Sequence, residues 1–129
     1  MARIIVDTNF LLMPFEYRID LASELLRIIH EPITLIIAAG TMRELSTLAG
    51  RTGRRAQAAR FVLQNMGQIR KKFTVEEVPS TGEVDRWIIK HVQENNVCVA
   101  TNDIPLRKKL LALGVPVIGM KSKAKLDFL

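Results

Sequence analysis

The chain has 129 residues, 48% of them hydrophobic, with 19 Lys+Arg against 13 Asp+Glu and a formal net charge of +6. That length supplies one compact domain rather than two, and the single cysteine, Cys98, excludes an intrachain disulfide and a cysteine-based zinc site. No apolar run is long enough to span a bilayer and no basic-then-apolar leader opens the chain, so a soluble, cytoplasmic protein that avoids membranes is expected.

In chain order, Arg3 to Val6 reads as a strand, and it ends abruptly in Asp7, Thr8 and Asn9. A short loop carrying Phe15 and Tyr17 follows, then an amphipathic helix from Asp20 to His30. Ile33 to Ala38 is a second strand, succeeded by helices over Thr41 to Ala49 and Arg54 to Lys71, with GRTGRR as the exposed connection between them. Phe73 to Val78 is the third strand, Thr81 to Glu94 a helix, Val97 to Ala100 the fourth strand, Pro105 to Leu113 a helix and Val115 to Ile118 the fifth strand. Residues 120–129 form a short basic tail on what reads as one domain over residues 1–129.

Strands this uniformly apolar have no wet face, and their alternation with helices predicts an α/β fold with a parallel sheet covered on both sides. Right-handed crossovers then place every strand end, and every following helix start, on one edge, where such sheets bind ligands. Asp7 stands at that edge directly after the first strand. Glu44 is expected in the first turn of the helix after the second strand, and Asp85 in that of the helix after the third. Asp103 ends the fourth strand in the phrase VATND. Asp85 shares a face with Ile88, Ile89 and Val92, so its side chain is expected to point inward.

Two carboxylates about 5 Å apart repel by roughly 3 kcal/mol at an effective dielectric near 20, and several such pairs rival the stability of a small domain. A divalent cation relieves that repulsion best, and all-oxygen donors suit Mg²⁺ or Mn²⁺ rather than zinc. Such an ion activates water, polarises a phosphoryl oxygen and shields a leaving oxygen, which are the needs of phosphodiester hydrolysis. Setting those four acids aside from the 13 leaves 9 against 19 basic residues, an acidic hole in a basic surface suited to nucleic-acid backbone. Arg51, Arg54, Arg55 and Lys108, with Arg60 and Lys109 near them, are the candidates for holding phosphates.

VDTNFLL, the acid in TMREL, the acid in GEVDRWIIKHV and ATND together resemble the PIN-domain nucleases over nearly the whole chain. The likeness is greatest to archaeal PIN proteins related to eukaryotic ribosomal-RNA processing nucleases. It implies an α/β/α sandwich around a five-stranded parallel sheet and an endoribonuclease acting on single-stranded RNA. It also implies that Asp7, Glu44, Asp85 and Asp103 are both catalytic and metal-holding, with Asn9 and Thr101 in support. A homodimer and an antitoxin or ribosome-assembly partner are compatible with the resemblance. Arg86 follows Asp85 where some relatives carry a second acid, so the sequence does not commit to two metals.

Each acid also has a plainer explanation. Thr41 and Glu44 have the spacing of a capping box, Asp103 of a helix cap, Asp7 of an Asx turn, and Asp85 of a first-turn acid meeting the helix dipole. Four such coincidences on one edge are less economical than one site. Other activities weighed are a non-catalytic RNA-binding or assembly module, a toxin-type ribonuclease of the same family, and a small phosphatase; DTN lacks the second Asp that the last would need.

Overall fold

The structure is a computed structural model and describes residues 2–123 and 125–129. Met1 and Ala124, which the expected domain and basic tail include, lie outside the described residues. The strands are β1 (Ala2–Val6), β2 (Ile33–Ala38), β3 (Thr74–Val78), β4 (Cys98–Ala100), β5 (Val117–Ser122) and β6 (Lys125–Phe128). The helices are α1 (Thr8–Tyr17), α2 (Leu21–Ile28), α3 (Ala39–Ala49), α4 (Arg54–Lys72), α5 (Val84–Glu94) and α6 (Ile104–Ala112).

All six strands join one sheet in the order β3-β2-β1-β4-β5-β6. The first five are parallel, as expected, and β6 adds an antiparallel edge in what the sequence presents as a tail. Side chains alternate between two cores. Ile4, Val6, Leu35 and Ile37 face the larger, against α1, α2, α3 and α4, whereas Ile5, Ile36 and Val99 face the smaller, against α5 and α6. Both faces being covered explains why β2 is buried at every position and carries no polar alternation. Truncating a fully buried residue such as Ile5 or Ile36 to alanine costs about 2 to 5 kcal/mol.

The segment after β1 is a helix, not the expected loop, so Phe15 and Tyr17 are helical residues. Pro14 inside it removes one backbone donor, which works against a helix at this point. The helix persists because Phe10, Leu11, Leu12 and Met13 are all buried beneath the sheet, and tertiary packing outweighs local propensity. It ends at Arg18, whose left-handed backbone (φ 54°) stops the helix directly after Tyr17.

β6 is locked from outside. Glu24 of α2 accepts the Leu126 N–H at 2.9 Å, and Arg27 donates to the Leu126 carbonyl at 2.6 Å, so a side-chain pair occupies the strand's outer edge. Strand order runs one way from β1 through β2 and the other way through β4, which opens a crevice between the carboxyl ends of β1 and β4.

Candidate active site

Asp7 leaves β1 into that crevice. Its backbone N–H bonds the Ala100 carbonyl of β4 at 3.3 Å, and its Oδ1 caps α1 by accepting the Phe10 N–H at 2.7 Å. Thr101, fully buried after β4, donates its hydroxyl to Asp7 Oδ2 and accepts the Asp103 N–H at 3.0 Å. One hydroxyl therefore ties the acid after β1 to the backbone of the acid after β4. Asp103 in turn caps α6, accepting the Leu106 N–H at 2.8 Å. Asp85 lies in the first turn of α5, so three helix amino-termini direct partial positive charge at three of the acids.

Glu44 belongs to the second turn of α3 rather than the first, because that helix starts at Ala39 with no intervening loop. The capping box does not form. Thr41 is a buried residue inside the helix, and Glu44 Oε2 instead accepts the Thr8 hydroxyl at 2.7 Å. Gly40 makes the junction: a Cβ there would stand 2.9 Å from Val84 Cγ2, so only glycine lets α3 start against α5. Its N–H is bonded by the Ser80 hydroxyl at 2.8 Å, which fixes the same contact.

Asp85 is exposed, not inward-pointing. Val84, Ile88 and Val92 form the buried stripe of α5, one position off the face assigned from sequence, and leave Asp85 on the flank. Its carboxyl still titrates high. Partial burial raises it first, the charges of Asp103, Glu44 and Glu83 raise it further, and Lys109 opposes them. Burial pushes Asp7 up to about 6; bonds from Thr101 and Phe10 hold it down, and the charges of Asp85 and Asp103 add to the rise. Charge thus couples all four acids across one edge.

Among the described residues, no group of three or more His, Cys, Asp or Glu side chains is disposed to hold a metal ion as it stands. The donor chemistry nevertheless fits a hard divalent cation. The set is carboxylate oxygen throughout, and mutual charge already raises two members. Hydrogen bonds from Thr8 to Glu44 and from Leu106 to Asp103 hold two of the carboxylates in the protein's own network.

Asn9 is exposed and its Oδ1 accepts from Arg55 at 2.9 Å, so its contact is with a basic residue rather than with one of the acids. Arg51 and Arg55 line a cavity of about 420 Å³ with Arg43 and Glu44. Arg54 is committed elsewhere, over the Phe15 ring at 5.6 Å. Lys108 is exposed on α6, but Lys109 lines the cavity of about 520 Å³ beside Asp85 and Arg86. Arg60 is an internal brace that donates to the Ala49 and Arg51 carbonyls at 2.8 and 3.1 Å. His91 stacks on Trp87 at 4.6 Å and takes no part in the acidic group. Sequence reasoning missed Thr8 and Arg43; the hydroxyl directly after Asp7 was the available signal for the first.

A family model described as a PIN-like domain matches residues 4–123. Ribonuclease VapC4 of Methanocaldococcus jannaschii is 28% identical over 124 residues, which cover 95% of this chain and 93% of that protein. Among solved structures, the PIN domain endonuclease Utp24 superposes with a TM-score of 0.75 and 27% identity, covering 98% of this chain and 90% of that one. A domain of a functionally unknown M. jannaschii protein shares the fold alone, with a TM-score of 0.71 and 19% identity over 95% of this chain and 93% of its own. With the matched residues spanning all four edge acids, the chain belongs to the PIN-like domain family.

Proposed function

We propose that this chain is a metal-dependent endoribonuclease that hydrolyses phosphodiester bonds in single-stranded RNA. The observation that carries the proposal is the placement of Asp7, Glu44, Asp85 and Asp103 at one sheet edge of a PIN-like chain, with Thr101 joining Asp7 to Asp103 and Thr8 holding Glu44. The matched ribonuclease and endonuclease support nucleic-acid cleavage as the activity class and RNA as the polymer. In this account the four acids hold Mg²⁺ or Mn²⁺, which when bound activates water and shields charge on the leaving oxygen.

The protein's own residues do the remaining work. Thr101 orients Asp7 and steadies the Asp103 backbone, while Thr8 holds Glu44. Arg51 and Arg55 on one side, and Lys109 on the other, flank the acids and grip phosphates to either side of the cleaved bond. The physiological setting we favour is ribosomal-RNA processing. A toxin-type ribonuclease would instead need an antitoxin partner to be tolerated in its host, which separates the two.

The test is cleavage of a labelled single-stranded RNA with Mn²⁺ present. Wild type should cut it internally, and Asp7→Asn and Asp85→Asn should not while remaining folded. Full activity in either variant overturns the assignment. Tight RNA binding by wild type without cleavage would favour the binding-module alternative.

A further inference from the structure

We infer that the cavity between the end of α1 and the start of α6 is a subsite for one unpaired nucleobase next to the cleaved phosphate, stacked on Tyr17. The inference rests on the nuclease reading for its substrate, and on separate observations for its location. The cavity, of about 210 Å³, is lined by Tyr17, Asn9, Asn102 and Arg55, and Asp103 of the acidic group forms part of its wall. A base seated there lies beside the reacting edge.

Tyr17 is 54% exposed, and among the described residues it has no ring partner. Phe15, two residues earlier on the same helix, differs: its ring packs 5.7 Å from Phe61 and lies under Arg54. One aromatic is thus spent on packing, and the other presents its ring to a cavity at the active edge. The two cavities on the other flanks of the acids, around Arg51 and around Lys109, carry charges and aliphatic stems without an aromatic ring. The aromatic surface is therefore confined to the cavity at Tyr17, and Arg55, which lines both that cavity and the one around Arg51, joins the two.

The polar lining suits a base edge. The Met120 N–H can only donate, so Asn102 accepts it with Oδ1 at 2.9 Å; one amide hydrogen goes to Met13 Sδ, and the second N–H is the donor left for a base. Asn9 likewise accepts from Arg55 through Oδ1 and retains NH₂ donors. Asn9 is anchored through its oxygen and Asn102 at both ends of its amide, so what each still offers is N–H, which favours ring nitrogens and carbonyls as partners. A paired base stacked in a duplex cannot reach such a pocket, which ties the preference for single strands to this corner of the fold.

The experiment is an abasic scan. A short single-stranded RNA is made as a series, each member lacking one base, and its affinity for the wild-type protein is measured by fluorescence anisotropy with EDTA present to prevent cleavage. One position should stand out, with affinity falling about tenfold or more when its base is removed. Tyr17→Ala should weaken the intact RNA by a similar factor and abolish the position effect, while Tyr17→Phe should retain both. Equal affinity in Tyr17→Ala, or an unchanged scan in that variant, overturns the subsite. Cleavage is not read, so failure of the nuclease assignment shows separately in the Mn²⁺ assay with wild type.

Discussion

The Thr8 hydroxyl donates to Glu44 Oε2 at 2.7 Å, joining the first residue of α1 to the second turn of α3. Thr8 is buried whereas Glu44 is exposed, so the bond's main effect is to fix a carboxylate that otherwise samples many rotamers. Thr8→Val keeps the volume and removes the donor. Its expected cost in chemical denaturation is about 1 kcal/mol, and because groups that orient ligands tune affinity strongly, Mn²⁺ should bind about tenfold more weakly. Unchanged affinity would remove Glu44 from the ligand set.

Asp7 gives the apo protein a pH signature. Its folded value, about 6, lies above the ordinary 3.8, so between those limits the folded protein holds a proton that the unfolded chain has released. Stability from this group is therefore greatest below about pH 4 and falls as pH rises to about 6, a loss on the order of 3 kcal/mol. Asp85 is shifted in the same direction. Asp7→Asn should be more stable than wild type at pH 7 without metal, and the gap should close toward pH 4. Urea titrations of both proteins across that range check it; a gap that widens on acidification contradicts the sign.

Asp103 serves the helix and the site together, and two substitutions separate these roles. Asparagine is as good an N-cap as aspartate, so Asp103→Asn should retain stability while losing cleavage. Asp103→Ala should lose cleavage and also about 1 kcal/mol of stability. Thermal melts paired with the RNA assay distinguish the pair.

The arginines divide in the same way. Arg60 bonds two carbonyls at the α3–α4 connection, so Arg60→Ala should lower stability by about 1 to 2 kcal/mol and leave RNA affinity alone. Arg51→Ala should do the reverse. RNA affinity should fall and its salt dependence flatten by about 0.7 in log–log slope, one phosphate contact's worth on a single strand. Anisotropy titrations at several salt concentrations read both.

Elements whose burial is uniform were legible in the sequence, and those whose order depends on distant partners were not. β2 is legible at its full observed length because five of its six residues are apolar and all six are buried, the exception in polarity being Thr34. α1 is not legible from the sequence, since Pro14 works against a helix and only the sheet that buries Phe10 through Met13 overrules it. β6 is a four-residue alternation of polar and apolar residues whose strand conformation depends on β5 and on the Glu24–Arg27 pair in α2. The acids were found from their places after strands, which chain order dictates. Their side-chain engagements were not, because Thr8 and Glu44 meet only when α1 is a helix. The capping-box pattern points Glu44 toward its own helix, and the spacing of Asp85 to Ile88, Ile89 and Val92 turns it inward, whereas the stripe that is buried runs through Val84, Ile88 and Val92.

Calorimetric titration of Mn²⁺ into wild type, Asp7→Asn, Glu44→Gln, Asp85→Asn and Asp103→Asn asks most directly whether the separated carboxylates act as one cation-binding centre. A saturable heat in wild type that is lost or sharply weakened in every variant is the result predicted. No heat in wild type, or undiminished binding in any of the four variants, would contradict a shared site.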